Sequence, residues 1–298
     1  MATPTFTVVP TGGPLGADIV GLDVSQPVSD QDFAAVYRAW NDHLVLRFRG
    51  QQLDDDQLTA FSRRFGELDM APIRADKDAY HPSRPEIAVV SNVVEQGKPL
   101  GGLGNSELVW HQDMSYKDLP PKASLLYGVE TPTTGGETFF YDLYAAFDSL
   151  PADLAARIDG LSCKHDATRN SSGELRSGFQ ASYEHEARPG AVHPLIVRHP
   201  ETGRASLYLG RRPNAWVVGM SATESDALLD ALWAHIHQGQ SFWAQQWRRG
   251  DLVIWDNRCT LHRRNQLDPS VRRHMHRTQV RDTARPVGMP LTSTAASV

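Results

Sequence analysis

The sequence has few cysteines and no long apolar run, and each absence excludes a class of protein. Only two cysteines, Cys163 and Cys259, occur in 298 residues, and they form no CxxC pair. A disulfide framework and a cysteine zinc site are therefore excluded, and two packed, reduced thiols in a cytoplasmic protein are predicted. No stretch approaches the roughly 18 consecutive apolar residues of a membrane span. The opening MATPTFTVVPTGG has no secretory-signal pattern.

A surplus of positive charge is also missing. Lys and Arg number 30 against 35 Asp and Glu, a formal net charge of −5, so a nucleic-acid surface is not expected. The sequence also lacks the GxxxxGK[ST] phosphate loop, a GxGxxG motif after a strand, and the GxSxG nucleophile motif. These absences favour a small-molecule partner, with neither nucleic acid nor membrane. The sequence leaves homo-oligomerisation open.

What is present is the pattern of a β-rich protein. Apolar residues make up 40% of the chain, enough for a sizeable core. Helical periodicity after Ser29, after Asp54 and from residue 221 to 238 predicts three helices, and a proline divides a further helical stretch at 143–161. Strands are predicted for the apolar runs EIAVVSNV, ASLLYGVE, ETFFYDL, PLIVRHP, ASLYLG, FWAQQW, DLVIWDN and HMHRTQV. One domain over residues 1–298, mainly β with flanking helices, fits better than alternating βαβ units.

Two polar stretches interrupt this pattern. Residues 94–108 are rich in glycine, and residues 167–192 carry many Ser, Arg, Glu and Gly with little periodicity. Long irregular segments inside a compact domain are usually functional. Both are predicted to be active-site loops, and the second is predicted to be a lid.

The triplet His111-Gln112-Asp113 is the first candidate for chemistry, although His-x-Asp is expected about once by chance in this composition. In an extended segment, residues i and i+2 point to the same face, so the imidazole and the carboxylate reach a common point. One more histidine would complete a facial triad of two His and one carboxylate, which leaves positions on iron open. The segment DLVIWDNRCTLHRR offers His262.

These segments resemble the taurine and 2,4-dichlorophenoxyacetate dioxygenase (TauD/TfdA) family. Four motifs carry the resemblance in the family's order: WHQD at 110–113, GGET at 135–138, WDNRCTLHR at 255–263 and RRHMHR at 272–277. The likeness runs from about Phe6 to Asp282. It implies a double-stranded β-helix (jelly-roll) core and an enzyme that uses Fe(II), 2-oxoglutarate and O₂ and releases succinate and CO₂.

The resemblance also implies roles for individual residues. It assigns the iron ligands as His111, Asp113 and His262. It implies that Arg273 binds the distal carboxylate of 2-oxoglutarate, because a planar guanidinium suits a bidentate carboxylate contact. The Thr138 hydroxyl is implied as a second contact to the same carboxylate. Arg277 matches the position that meets an anionic group of the substrate.

The substrate follows less directly. Positions that would match a taurine enzyme's His, Tyr, Asn and an aromatic residue are here Ala71, Arg74, Glu107 and Ala167, so taurine is not expected. Arg74 and Glu107 are kept as candidate substrate contacts, Glu107 for a cationic part. The leading hypothesis is hydroxylation of a small organic acid, a carboxylate or sulfonate. The same cofactor chemistry ending in desaturation, ring closure or ether cleavage stays open, and a jelly-roll binding protein without metal is the non-enzymatic alternative.

Overall fold

The computed structural model describes residues 3–71, 81, 83–103, 108–170 and 173–291. Its helices are α1 Asp30–His43, α2 Asp55–Arg63, α3 Leu143–Asp148, α4 Ala152–Ile158 and α5 Ala222–Gln238. Its strands are β1 Thr7–Pro10, β2 Ala17–Val20, β3 Val45–Phe48, β4 Ala88–Ser91, β5 Val94–Glu95, β6 Lys98–Pro99, β7 Gly102–Leu103, β8 Pro121–Glu130, β9 Thr138–Asp142, β10 Ser162–Lys164, β11 Val192–Pro194, β12 Ile196–Arg198, β13 Ala205–Leu207, β14 Trp216–Val217, β15 Phe242–Gln245, β16 Leu252–Asp256, β17 Thr260–Arg264, β18 His274–Arg281 and β19 Val287–Gly288.

An eight-stranded sheet in the order β1-β2-β3-β16-β8-β18-β4-β7 forms the larger layer. The central strand β16 is buried on both faces. Leu252 and Ile254 pack into one core cluster, and Val253 and Trp255 pack into another. Because successive side chains of a strand alternate between faces, the apolar run LVIW marks a strand that is covered on both sides.

Helices α1 and α2 cover the outer face of this sheet. Each begins at a side-chain cap: Ser29 Oγ accepts from the Asp32 backbone N–H at 3.1 Å, and Asp54 forms a reciprocal capping box with Gln57. Trp40 of α1 joins the core cluster that contains Leu252. Both helices lie close to their predicted positions.

The inner face packs against a smaller sheet in the order β15-β9-β17. Phe140 of β9 shares a core cluster with Val253 and Trp255. Its neighbour Tyr141 points the other way, into a cluster with Trp233 of α5. The structure is thus a mixed, β-rich fold with few helices. The prediction of a mainly β protein with flanking helices is confirmed at this level.

Other details agree with the sequence. Pro151 stands at the N-cap of α4 and separates it from α3, as its missing N–H predicts. Cys163 and Cys259 are buried and form no disulfide. No helix in the described ranges has both the length and the apolar content to cross a membrane.

The two predicted loops differ from one another. Residues 94–103 contain the short strands β5 to β7, while 104–107 lie outside the described residues. The described part of 167–191 has neither a helix nor a named strand, and an isolated bridge joins Arg169 to Leu175. Their role as active-site loops or a lid stays a prediction.

Candidate active site

The candidate site lies where a short extended segment joins the smaller sheet. The backbone N–H of His111 donates to the carbonyl of His262 at 2.9 Å, and the reverse bond is also 2.9 Å. This exchange adds residue 111 beside β17, on the side away from β9. Residues directly opposite in an antiparallel pair project from the same face. The two imidazole rings consequently lie side by side, with centroids 4.2 Å apart.

Asp113 completes the cluster predicted from the sequence. Its Oδ1 lies 3.7 Å from His262 Nε2 and 4.0 Å from His111 Nε2. All three residues are buried, and the three ligand atoms lie within 4.8 Å of one another. Two atoms that each bind one metal at about 2.1 Å can be separated by at most about 4.2 Å. Both separations from Asp113 Oδ1 meet this limit, so the donor set fits a single metal ion.

The orientation of these side chains favours a metal over an internal hydrogen bond. His111 Nδ1 lies 2.9 Å from the Val109 carbonyl, which fixes that nitrogen as the N–H donor. Among the described residues, His111 Nε2 is buried and has no hydrogen-bond partner. A ligating histidine commonly donates its other ring N–H in this way, which directs the free lone pair at the metal.

Electrostatics keeps Asp113 and His262 in their metal-binding forms. Burial opposes ionisation of Asp113, but the Arg277 guanidinium and the two imidazoles outweigh it and hold the pKa of this carboxyl well below its usual range. Burial lowers the pKa of His262 to about 3, and the neighbouring His111 contributes in the same direction. A neutral imidazole and a charged carboxylate are the forms that bind a divalent cation.

A second layer of polar side chains holds the carboxylate. Ser124 Oγ on β8 donates to Asp113 Oδ2 at 2.7 Å and accepts from Asn257 Nδ2 at 3.0 Å. Gln112 connects two segments outside the strands: its Nε2 donates to the Asn257 carbonyl at 2.8 Å, and its Oε1 accepts from the Gly210 N–H at 2.9 Å. These partners come from distant parts of the chain, so sequence spacing carried no signal for them.

A second group of possible ligands, His199, Asp256 and Cys259, is also buried. Here Asp256 accepts two bonds from Arg258, at 2.8 and 2.6 Å, and lies 3.0 Å from His199 Nε2. Its oxygens are already paired with a cation. The first group is therefore the better metal candidate.

Thr138 and Arg273 are both buried. Thr138 begins β9 and stands opposite Arg264 of β17, while Phe140, two residues on, stands opposite His262. The Thr138 hydroxyl accepts a bond of 2.9 Å from Trp247 Nε1 and keeps its own hydrogen for donation. Trp247 was not predicted.

Arg277 lies closer to the metal-binding group than its predicted substrate role required. Its Nη1 is 3.4 Å from Asp113 Oδ1, and the residue is buried. Arg273 directly precedes β18 and Arg277 lies within it. Four residues of extended chain span about 13 Å, so the two guanidinium groups are anchored well apart.

The remaining predicted contacts divide by position. Arg74 and Glu107 lie outside the described residues. Ala71 donates a backbone bond of 2.8 Å to the Pro85 carbonyl, and Ala167 donates one of 2.9 Å to the Pro189 carbonyl. Neither alanine side chain offers a polar contact.

Comparison with known proteins agrees with this site. The family described as taurine catabolism dioxygenase TauD, TfdA matches residues 7–279, so the chain belongs to the TauD/TfdA family. The 2,4-dichlorophenoxyacetate dioxygenase of Cupriavidus pinatubonensis, named as dependent on α-ketoglutarate, is 33% identical over 276 residues, covering 90% of this chain and 95% of that protein. Pentalenolactone F synthase of Streptomyces arenae is 33% identical over 284 residues, covering 89% and 91%.

A solved structure extends the likeness to three dimensions. The crystal structure of AAD-2 in complex with Mn(II) and N-oxalylglycine superposes with a TM-score of 0.79 at 30% identity, covering 96% of this chain and 100% of that one. The chain is a 2-oxoglutarate-dependent non-haem iron dioxygenase, and its cofactors are Fe(II) and 2-oxoglutarate.

Proposed function

We propose that His111, Asp113 and His262 bind the iron and that the protein hydroxylates a small organic acid. The observation that carries the iron assignment is the buried, unpartnered Nε2 of His111 facing the same point as His262 Nε2 and Asp113 Oδ1. Two imidazoles and one carboxylate form the ligand set of non-haem iron oxygenases, and it leaves positions open for other ligands.

The cosubstrate is assigned to the side of the site nearer β9. The distal carboxylate of 2-oxoglutarate is proposed to bind Arg273, with a hydrogen bond from the Thr138 hydroxyl. A guanidinium presents parallel N–H donors that match a carboxylate, and burial strengthens the contact by excluding water. Trp247 orients the Thr138 hydroxyl by donating to its oxygen.

When bound, iron and 2-oxoglutarate supply the oxidising chemistry: O₂ is consumed, 2-oxoglutarate becomes succinate and CO₂, and a C–H bond of the substrate is oxidised. The protein's part is to hold the substrate. Arg277 is proposed to attract an anionic group, a carboxylate or sulfonate, toward the side of the site that contains Asp113. Arg74 and Glu107 remain proposed substrate contacts.

The finer fold assignment supports this function. We infer that the two facing sheets form the double-stranded β-helix of a single catalytic domain over residues 1–298. The segments 94–108 and 167–192 are proposed to border the substrate chamber, the second as a lid.

One alternative keeps the same cofactors and changes the outcome to desaturation, ring closure or ether cleavage. The relatives favour keeping it, because their names include a synthase, a 2,4-dichlorophenoxyacetate dioxygenase and, in Pseudomonas putida, a sulfate ester dioxygenase. Taurine itself is not proposed, since alanines stand at positions 71 and 167.

Succinate release tests the proposal. The enzyme with Fe(II), 2-oxoglutarate and O₂ should be screened against phenoxyacetates, alkyl sulfonates and alkyl sulfates, each beside its neutral ester or amide. At least one acid should raise succinate release above the substrate-free rate and yield an oxidised product. Mass spectrometry of that product separates hydroxylation from the alternative. Acceleration by the neutral analogues alone would contradict the anionic-substrate assignment.

A further inference from the structure

Arg211 lies beside the metal-binding group but on the side away from β9. An isolated antiparallel bridge pairs His111 with Arg211, and another pairs His111 with His262. The lateral order is therefore Phe140 on β9, then His262, then His111, then Arg211, and Thr138 lies on β9 two residues before Phe140. Because directly opposite residues project from one face, the Arg211 side chain starts on the same face as both imidazoles.

The neighbouring residue confirms this direction. Arg212 points to the opposite face, where its Nε lies 2.7 Å from Asp230 Oδ1 and its Nη2 lies 2.9 Å from Asp226 Oδ1, both on α5. Successive side chains of an extended segment alternate between faces. Arg211 consequently points inward while Arg212 points outward.

Arg211 has little to neutralise it in the described structure. Its one hydrogen bond there runs from Nη2 to the Arg169 carbonyl at 3.0 Å, and it makes no ion pair with a described carboxylate. The nearby Asp166 is already used by other donors: it accepts from the N–H and hydroxyl of Thr168 at 2.8 and 2.6 Å, and from Asn214 Nδ2 at 2.9 Å.

A second arginine adds to the positive charge. The Arg176 guanidinium stacks over the ring of Tyr116, with its Cζ 4.1 Å from the ring centroid, and has no carboxylate partner within the described ranges. Burial lowers the pKa of Arg211; the attraction of Asp166 opposes this shift only in part, and Arg176 adds to it. A half-buried guanidinium without a counter-ion is costly unless an anion binds it.

This anion is not expected to be 2-oxoglutarate. Under the proposed function its distal carboxylate binds at Thr138 and Arg273, and both metal-binding histidines separate β9, the strand of Thr138, from Arg211 in the lateral order. Arg277, the proposed partner of the substrate's first acidic group, contacts Asp113. An anion bound at Arg211 would therefore be a separate group from both of these carboxylates.

We propose that Arg211 and Arg176 form a second anion-binding subsite, so that the primary substrate carries two acidic groups, one held by Arg277 and the other by Arg211. This inference rests on the proposed function and narrows its substrate class from organic acids to dianions. Arg176 belongs to the 167–192 segment, so a substrate acid that binds Arg176 also contacts that segment.

Binding without turnover tests the subsite. Dissociation constants should be measured by calorimetry, without oxygen, on the enzyme with iron and 2-oxoglutarate. The probes are the 2-, 3- and 4-carboxy isomers of phenoxyacetate, each beside its neutral ring carboxamide. At least one diacid should bind about 10-fold or more tightly than its carboxamide, the usual effect of one charge-assisted hydrogen bond.

Variants then locate the effect. Arg211→Gln should remove the preference for the diacid, and Arg176→Gln should reduce it independently. Arg212→Gln is the matched control, since it removes the same charge from the adjacent residue on the opposite face, and it should keep the preference.

The outcomes separate the two proposals. If no wild-type diacid is preferred, or if Arg211→Gln keeps the preference, or if Arg212→Gln loses it equally, the subsite is wrong while the proposed function stands. If only the neutral analogues accelerate succinate release from the wild-type enzyme, the proposed function is wrong and this inference falls with it.

Discussion

Ser124 holds one oxygen of Asp113 and leaves the other on the side of the histidines: the Ser124 hydroxyl donates to Oδ2 at 2.7 Å, while Oδ1 lies 3.7 Å from His262 Nε2 and 3.4 Å from Arg277 Nη1. The carboxylate is thereby fixed with one oxygen directed at the point shared by the two imidazoles. This relationship makes Ser124 a supporting residue of the proposed metal site, although Ser124 is not itself a proposed ligand.

Replacing Ser124 should therefore weaken metal binding. Ser124→Ala removes the bond that orients Asp113, and loss of such a supporting bond typically costs about 10- to 100-fold in metal affinity. Mn(II) titration without oxygen measures the effect. Ser206→Ala is the control, because Ser206 is equally buried and its hydroxyl bonds only a backbone carbonyl within the described ranges. Equal losses in the two variants would show that Ser124 does not support the metal site.

The two proposed cosubstrate contacts should differ in strength. Arg273→Ala should raise the 2-oxoglutarate concentration needed for half-maximal succinate release by about 10- to 150-fold, because a charge-assisted bond contributes about 1.5–3 kcal/mol. Thr138→Ala removes one neutral hydroxyl and should cost less. An unchanged 2-oxoglutarate titration for Arg273→Ala would refute the assignment.

Arg277 should act on the substrate more than on the cosubstrate. Arg277→Ala should still bind 2-oxoglutarate, and it should keep the slow succinate release that occurs without substrate. Its coupled oxidation of an anionic substrate should fall by at least about 10-fold. A neutral amide of the same substrate should be hardly affected. Equal losses for the acid and the amide would make Arg277 structural, a result compatible with its contact to Asp113.

The Asp256–Arg258 pair is predicted to contribute to the stability of the fold and to have no part in metal binding. Burial opposes ionisation of Asp256, but Arg258 and His199 outweigh it and lower the pKa of this carboxyl. Asp256→Asn removes one of the two carboxylate partners of the buried Arg258 and leaves Glu201, so it should reduce the free energy of unfolding by about 1–3 kcal/mol at pH 7. Asp148→Asn, in an exposed pair, should cost less than about 1 kcal/mol.

The pH dependence of that loss has a definite sign. A carboxyl whose pKa is lowered in the folded state stabilises the fold above its ordinary pKa of about 3.9. Urea unfolding should therefore show the full difference between wild type and Asp256→Asn at neutral pH. The difference should shrink as the pH falls below about 4, and a difference that grows on acidification would contradict the assignment.

The sequence predicted what local periodicity encodes. The continuous apolar run in DLVIWDN predicted a strand, which the structure buries on both faces, and the i, i+2 spacing of His111 and Asp113 predicted that their side chains reach a common point. Assigning His262 as the proposed third ligand needed the family resemblance. His262 is far from His111 and Asp113 in the sequence, so local spacing could not predict that the three residues lie together.

The parts that could not be predicted depend on long-range pairing. Ser124 on β8 reaches Asp113 in the turn before that strand, and Arg211 meets His111 through a bridge across 100 residues of chain. Neither residue stands in a motif. Such contacts follow from sheet register, which is set by packing of the whole core.

The central claim is that His111, Asp113 and His262 together hold the iron. The most direct measurement adds Fe(II) and then 2-oxoglutarate to the protein without oxygen and records the visible metal-to-ligand charge-transfer absorption, with bound iron quantified in parallel. The wild type should bind one iron and develop the band. His111→Ala, Asp113→Ala and His262→Ala should each lose both while retaining the far-ultraviolet circular dichroism of the folded protein. A variant of any of the three that binds iron normally and develops the full band would contradict the assignment of that residue.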